Sequence, residues 1–100
     1  MIQLTPRDSK TIGKSMEQTK HYHILYLRAI NNVLRRRILK ALKEGNNTIE
    51  DLVSTTRLDI NTLKWHLSIL EHGFCIERDS SKGKVVFKLT QEGKVVDYLR

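Results

Sequence analysis

The sequence predicts a mainly α-helical domain that carries one small β-hairpin. Three observations predict it. Apolar residues recur at helical spacing from Thr19 to Phe74, the period changes to two between Cys75 and Leu89, and cap or turn residues stand at the junctions. One hundred residues with 39% apolar content make one domain with a single core.

Residues 1–17 hold scattered charges, Pro6 and Gly13 and show no apolar period, so a mobile basic arm is expected there and the folded domain over 18–100. From Thr19 the pattern is helical. His23, Leu27, Ile30, Leu34 and Ile38 form one line, Tyr22, Tyr26, Ala29 and Val33 a second, and Ile24 and Leu25 fill much of the remaining arc. A helix apolar over so wide an arc needs more than one neighbour, and in a small domain a second copy of the chain is the expected one. Asn31 and Asn32 are expected to break or re-cap this helix, because Asn favours caps over helix interiors. The stretch that follows ends at Gly45, with Lys40 and Lys43 near its carboxyl end, where the helix dipole favours cations.

Thr48, with Asp51 three residues on, announces the next helix as a capping-box arrangement. Ile49, Leu52 and Val53 supply its buried face, and it runs out near Thr56. Arg57 and Leu58 turn the chain, Asp59 caps a further helix, and Gly73 ends it. Two helices joined by so short a turn form a helix-turn-helix. Cys75–Asp79 and Lys84–Leu89 then read as two strands joined by Ser80, Ser81, Lys82 and Gly83, with Val85, Phe87 and Leu89 expected on the core side. Thr90 is expected to cap a closing helix bearing Val95, Val96, Tyr98 and Leu99.

The second helix of the helix-turn-helix has an unusual outer face. Leu63, Leu67 and Leu70 lie on one side, extended by Ile60 and Phe74, while Asn61, Trp65, Ser68 and His72 recur on the other. At about 100° per residue, Trp65 stands roughly 160° from both Leu63 and Leu67. A large aromatic turned away from the core generally has a partner. Lys64 sits beside it. A polar and aromatic helix face on a basic domain is what reading a DNA groove requires.

The charge supports that partner without deciding it. Lys and Arg number 18 against 11 Asp and Glu, a net of +7. The excess is concentrated at Arg28, Arg35, Arg36, Arg37, Lys40 and Lys43, and again at Lys82, Lys84 and Lys88 on the hairpin. Consecutive residues on a helix diverge by about 100°, so Arg35, Arg36 and Arg37 cannot share one partner. One of them is expected to face solvent or DNA and another to pair with an acidic group such as Glu71. The expected DNA-contacting set is Asn61, Thr62, Lys64, Trp65 and Ser68 on the helix, Arg36 before it, and Lys82, Lys84 and Lys88 on the hairpin.

Other classes find little support. There is no glycine-rich phosphate loop, nucleophile elbow or paired ligand spacing, so an enzyme is not expected. His21 and His23 are two apart, a poor chelating distance on a helix, and no metal or cofactor is expected. His66, about 60° from Leu63, is expected to be a structural histidine with a satisfied ring nitrogen. Cys75 alone cannot form an internal disulfide and reads as a small buried hydrophobe in a reducing compartment. The first residues are too polar for a secretory signal and Ile24–Leu27 is too short to span a membrane, so a soluble, cytoplasmic protein is expected.

Four segments carry a family resemblance. They are Leu34-Arg-Arg-Arg-Ile-Leu-Lys-Ala-Leu42, Thr48-Ile-Glu-Asp-Leu52, Leu63-Lys-Trp-His-Leu-Ser-Ile-Leu-Glu-His-Gly73 and Leu89-Thr-Gln-Glu-Gly93. In order and spacing they resemble the winged helix-turn-helix regulators of the ArsR and MarR type, with an archaeal flavour in the Trp before the His-Leu pair. The resemblance covers residues 25–100. It implies a DNA-binding homodimer, paired through the first and last helices, with helix residues in the major groove and the hairpin wing on the backbone or minor groove. Two departures stand out: Val33 replaces the proline familiar after the Asn, and the cysteine-rich motif of the metal-sensing branch is absent. The function expected is sequence-specific transcriptional regulation by promoter occupancy. The rivals are a DNA-architectural protein with little sequence preference and a winged helix used for protein contact.

Overall fold

The computed structural model describes residues 12–98, with side chains to Val95. Four α-helices come first: α1 (Met16–Ile30), α2 (Val33–Lys43), α3 (Ile49–Thr56) and α4 (Ile60–His72). A hairpin of β1 (Ile76–Asp79) and β2 (Val86–Leu89) follows, then a 3-10 helix over Gly93–Tyr98. The expected mobile arm lies mostly outside the described residues, and α1 begins at Met16, earlier than the apolar period indicates.

Local side chains set each helix start. Ser15 Oγ accepts from the Gln18 amide, Asn32 Oδ1 from Arg35, and Thr48 Oγ1 from Asp51, at 3.1 Å in each case. Asp59 Oδ2 accepts from both Asn61 and Thr62. Each such cap satisfies amides that have no partner within the helix. The Asn31–Asn32 break is therefore a junction with two roles: the Asn31 amide closes α1 on Leu27 O, and the Asn32 side chain opens α2. Between α3 and α4 the turn is made by Arg57, which adopts a left-handed backbone at φ 59°.

Ile38, Leu39, Leu52, Leu63, Leu67 and Leu70 are fully buried and join α2, α3 and α4 in one core, closed by Ala29, Cys75, Ile76 and Phe87. The strands pair antiparallel with Ile76 opposite Leu89 and Asp79 opposite Val86. The Phe87 amide bonds Asn47 O at 2.8 Å, so the outer edge of β2 is fixed to the loop between α2 and α3. Within the hairpin, Arg78 lies over the ring of its cross-strand partner Phe87 and pairs with Glu71 at 3.3 Å.

Four expectations need correction. Ile60, at the first turn of α4, is 44% exposed, because the helix end projects beyond the leucine face. Val85 precedes β2 rather than belonging to it and is also exposed. The closing segment, capped by Thr90 Oγ1 at the Gly93 amide as expected, is a 3-10 helix rather than an α-helix. Glu71 takes Arg78 as its partner, while Arg35 turns inward to α1.

Candidate nucleic-acid interface

One side of α4 is sealed into the core and the other is open. Leu63, Leu67 and Leu70 are at most 1% exposed, whereas Trp65 is 56% exposed, and Asn61, Thr62 and Lys64 are exposed with it. Ser68, one turn further on, is half-buried. The indole is not isolated, since its ring meets the His66 ring edge-on with centroids 4.9 Å apart. Asp59 holds the first amides of α4, so the turn that presents Asn61 and Thr62 has a fixed start.

The hairpin carries the other expected basic residues. Lys82, Lys84 and Lys88 are all exposed. Lys88 is engaged within the wing, its Nζ 3.1 Å from Asp79 Oδ2. Asp79 also accepts from the Ser81 amide and hydroxyl, and these bonds together with Lys88 hold its carboxyl down at about 2. Lys82 and Lys84 extend from the tip beside Gly83.

The three arginines diverge as helical geometry requires. Arg37 is exposed. Arg36 is half-buried, with Nε donating to Ile30 O at 2.7 Å, so it serves the end of α1 as well as any outside partner. Arg35 is buried, and its Nε and Nη2 donate to Ala29 O and Arg28 O at 2.9 and 3.0 Å. Its Nη1 lies 3.2 Å from His66 Nδ1. His66 is thus a structural histidine with a partnered nitrogen. Its pKa lies below 6.5, through burial first and the Arg35 charge second. Sequence reasoning missed Arg35 as the residue joining α1 to α4; three adjacent arginines offer no local sign of which one folds back.

A second face is apolar and open. Met16, Ile24 and Leu27 on α1, and Val33 at the start of α2, are 57–79% exposed. On the inner side of α1, Tyr26 donates to Glu92 O, and its hydroxyl is pushed up to about 12 by burial and by Cys75 and Glu92. Cys75 is buried, and desolvation with the nearby Glu92 charge raises its thiol to about 12. Among the described residues no cluster of His, Cys, Asp or Glu is placed to hold a metal ion, and no helix is long and apolar enough to cross a membrane.

Among solved structures, HlyU from Vibrio cholerae superposes with a TM-score of 0.69 at 22% identity, over 84% of this chain and 94% of that one. The transcriptional repressor BigR from Xylella fastidiosa gives 0.66 at 20%, over 84% and 88%. The fold is a winged helix. Bordetella bronchiseptica BpsR, whose DNA binding is regulated by 6-hydroxynicotinic acid, gives 0.64 at 19% identity. The superposition covers 80% of this chain but only 64% of BpsR, so this chain spans under two thirds of that protein's length. No family model and no curated protein matches the sequence.

Proposed function

We propose that this protein is a sequence-specific, duplex-DNA-binding transcriptional regulator that represses by occupying a promoter. The observation that carries the reading is the exposed face of α4, where Asn61, Thr62, Lys64 and Trp65 stand opposite a fully buried leucine face. A side chain reads sequence only if it reaches base edges, and a helix of this diameter enters the major groove. Asn61 offers an amide suited to adenine, Lys64 a donor for guanine or phosphate, and Trp65 apolar contact. Ser68 sits further along the same face. Lys82, Lys84 and Lys88 on the wing supply phosphate contacts, with Arg36 a lesser contributor because its Nε is already bound.

The protein acts as a homodimer in this reading. Met16, Ile24 and Leu27 leave α1 apolar toward solvent, and a second copy pairing there, with the last helix, covers them. Two recognition helices then meet half-sites about 10 base pairs apart, centre to centre. The likeness to DNA-binding regulators, BpsR and the repressor BigR among them, supports the reading at the level of fold. An ArsR or MarR type of regulator is the corresponding family proposal.

Trp65 is the only tryptophan, so its fluorescence reports on this face alone. Titration with duplex DNA is expected to change its intensity and wavelength saturably. DNA binding with unaltered Trp65 emission would place the interface elsewhere.

A further inference from the structure

From α2, the Arg35 guanidinium joins the end of α1 to the middle of α4. It is 6% exposed, bonds the last carbonyls of α1 through Nε and Nη2, and reaches α4 through Nη1 at His66 Nδ1. A guanidinium only donates, so His66 Nδ1 must offer a lone pair. The imidazole in this contact is therefore neutral, with its proton on Nε2. Protonation would place an N–H on Nδ1, removing the acceptor and setting two cations 3.2 Å apart in a buried site.

We propose that Arg35 is a positioning residue for DNA reading: through neutral His66 it clamps the recognition helix to the end of α1, and protonation of His66 releases the clamp. The inference rests on the DNA-binding reading above. His66 is next to Trp65 in sequence and in ring contact with it, so displacement of the imidazole moves the indole that faces DNA. The electrostatic surroundings favour the neutral ring. Arg35 acts on it from α2, and Arg28 of α1 adds its charge around Arg35. Cys75, ahead of β1, acts on Arg35, while Glu92 acts on Cys75 and Tyr26 rather than on the imidazole. On α3 the buried neighbour of the core is Thr56, uncharged and bonded to Leu52 O.

Two measurements test the clamp. In imidazole nitrogen NMR of the wild-type protein, His66 is expected to carry its proton on Nε2 and to titrate below 6.5. A proton on Nδ1, or titration at or above that value, would overturn the proposal. The second measurement is affinity for a labelled duplex from neutral pH downward, for the wild type and His66→Asn. Asn keeps an acceptor near the Nδ1 position and does not titrate. Wild-type affinity is expected to fall by up to about tenfold per pH unit below the His66 pKa for each recognition helix engaged, the limit for one linked proton per subunit, and the variant is expected to lack this fall. Exposed His21, His23 and His72 are common to both proteins, so the difference between the two profiles reports on His66. Superimposable profiles for the two proteins would defeat the clamp. Absence of binding by either at neutral pH would instead defeat the DNA reading, leaving the NMR result to judge the contact.

Discussion

Gly73 lies so close to Ala29 that any side chain at position 73 would overlap the Ala29 methyl group. The same added carbon would stand 2.9 Å from Leu25 O. Gly73 thus sets how closely the end of α4 approaches α1, whereas the left-handed residue after the helix is Phe74, at φ 67°. The spacing of α4 from the C-terminal part of α1 is consequently fixed at two places on α4, by Arg35 through His66 near its middle and by Gly73 at its end, both against Ala29.

Gly73→Ala is expected to lower stability by roughly 1–3 kcal/mol, the usual cost of forcing extra volume into a packed contact. Urea unfolding measures it. A change within a few tenths of a kcal/mol would show that α1 and α4 separate freely.

The wing lysines should not be equivalent. Replacing Lys82 or Lys84 with Ala is expected to reduce the slope of log affinity against log salt by about 0.9 for each phosphate that the variant no longer neutralises. Lys88→Ala is expected to do less, because its ammonium is already held by Asp79. Salt titrations of the three variants decide this, and equal slopes for all three would remove the distinction.

Stability should depend on pH through His66. Its folded pKa is depressed from 6.5, so the unfolded chain binds the proton more readily and acid favours unfolding. The contribution is fully present above 6.5 and is lost as pH falls from there toward the lower folded value. The slope from this residue cannot exceed about 1.4 kcal/mol per pH unit. Denaturant midpoints across that window, compared between wild type and His66→Asn, are expected to show a steeper acid loss in the wild type. Equal slopes would assign the acid loss to other groups.

Cys75 should be unreactive in the folded protein. The thiol is buried and raised to about 12, and the thiolate is the nucleophile. Iodoacetamide at neutral pH is expected to label it only in denaturant, as mass spectrometry can follow. Rapid native labelling would show that the β1 entry opens.

Much of this was legible because it is local. Thr48, Asn32 and Asp59 are short polar side chains placed just before helical patterns, and each caps the helix its position indicated. Trp65 was readable as outward because two leucines fix the helix phase around it. The start of α1 was also written in the sequence, since Ser15 and Gln18 form a capping pair in which Gln18 Oε1 reaches back to the Lys14 amide, but no apolar period accompanies it. Tertiary choices were not legible. Nothing in Arg35-Arg-Arg37 indicates that the first caps α1 from within and the second from its edge. Nor does Gly73 reveal whether it serves a left-handed turn or a close contact. The Asn47–Phe87 bond joins residues forty apart and has no local sign.

Whether α4 reads DNA sequence as part of a two-fold assembly is decided by selecting bound duplexes from a random pool at physiological salt. Enrichment of a two-fold-related motif with half-sites about one helical turn apart is expected, with that preference lost in Trp65→Ala or Asn61→Ala. Retention of duplexes without any motif, or with preference intact in both variants, would contradict this reading of α4.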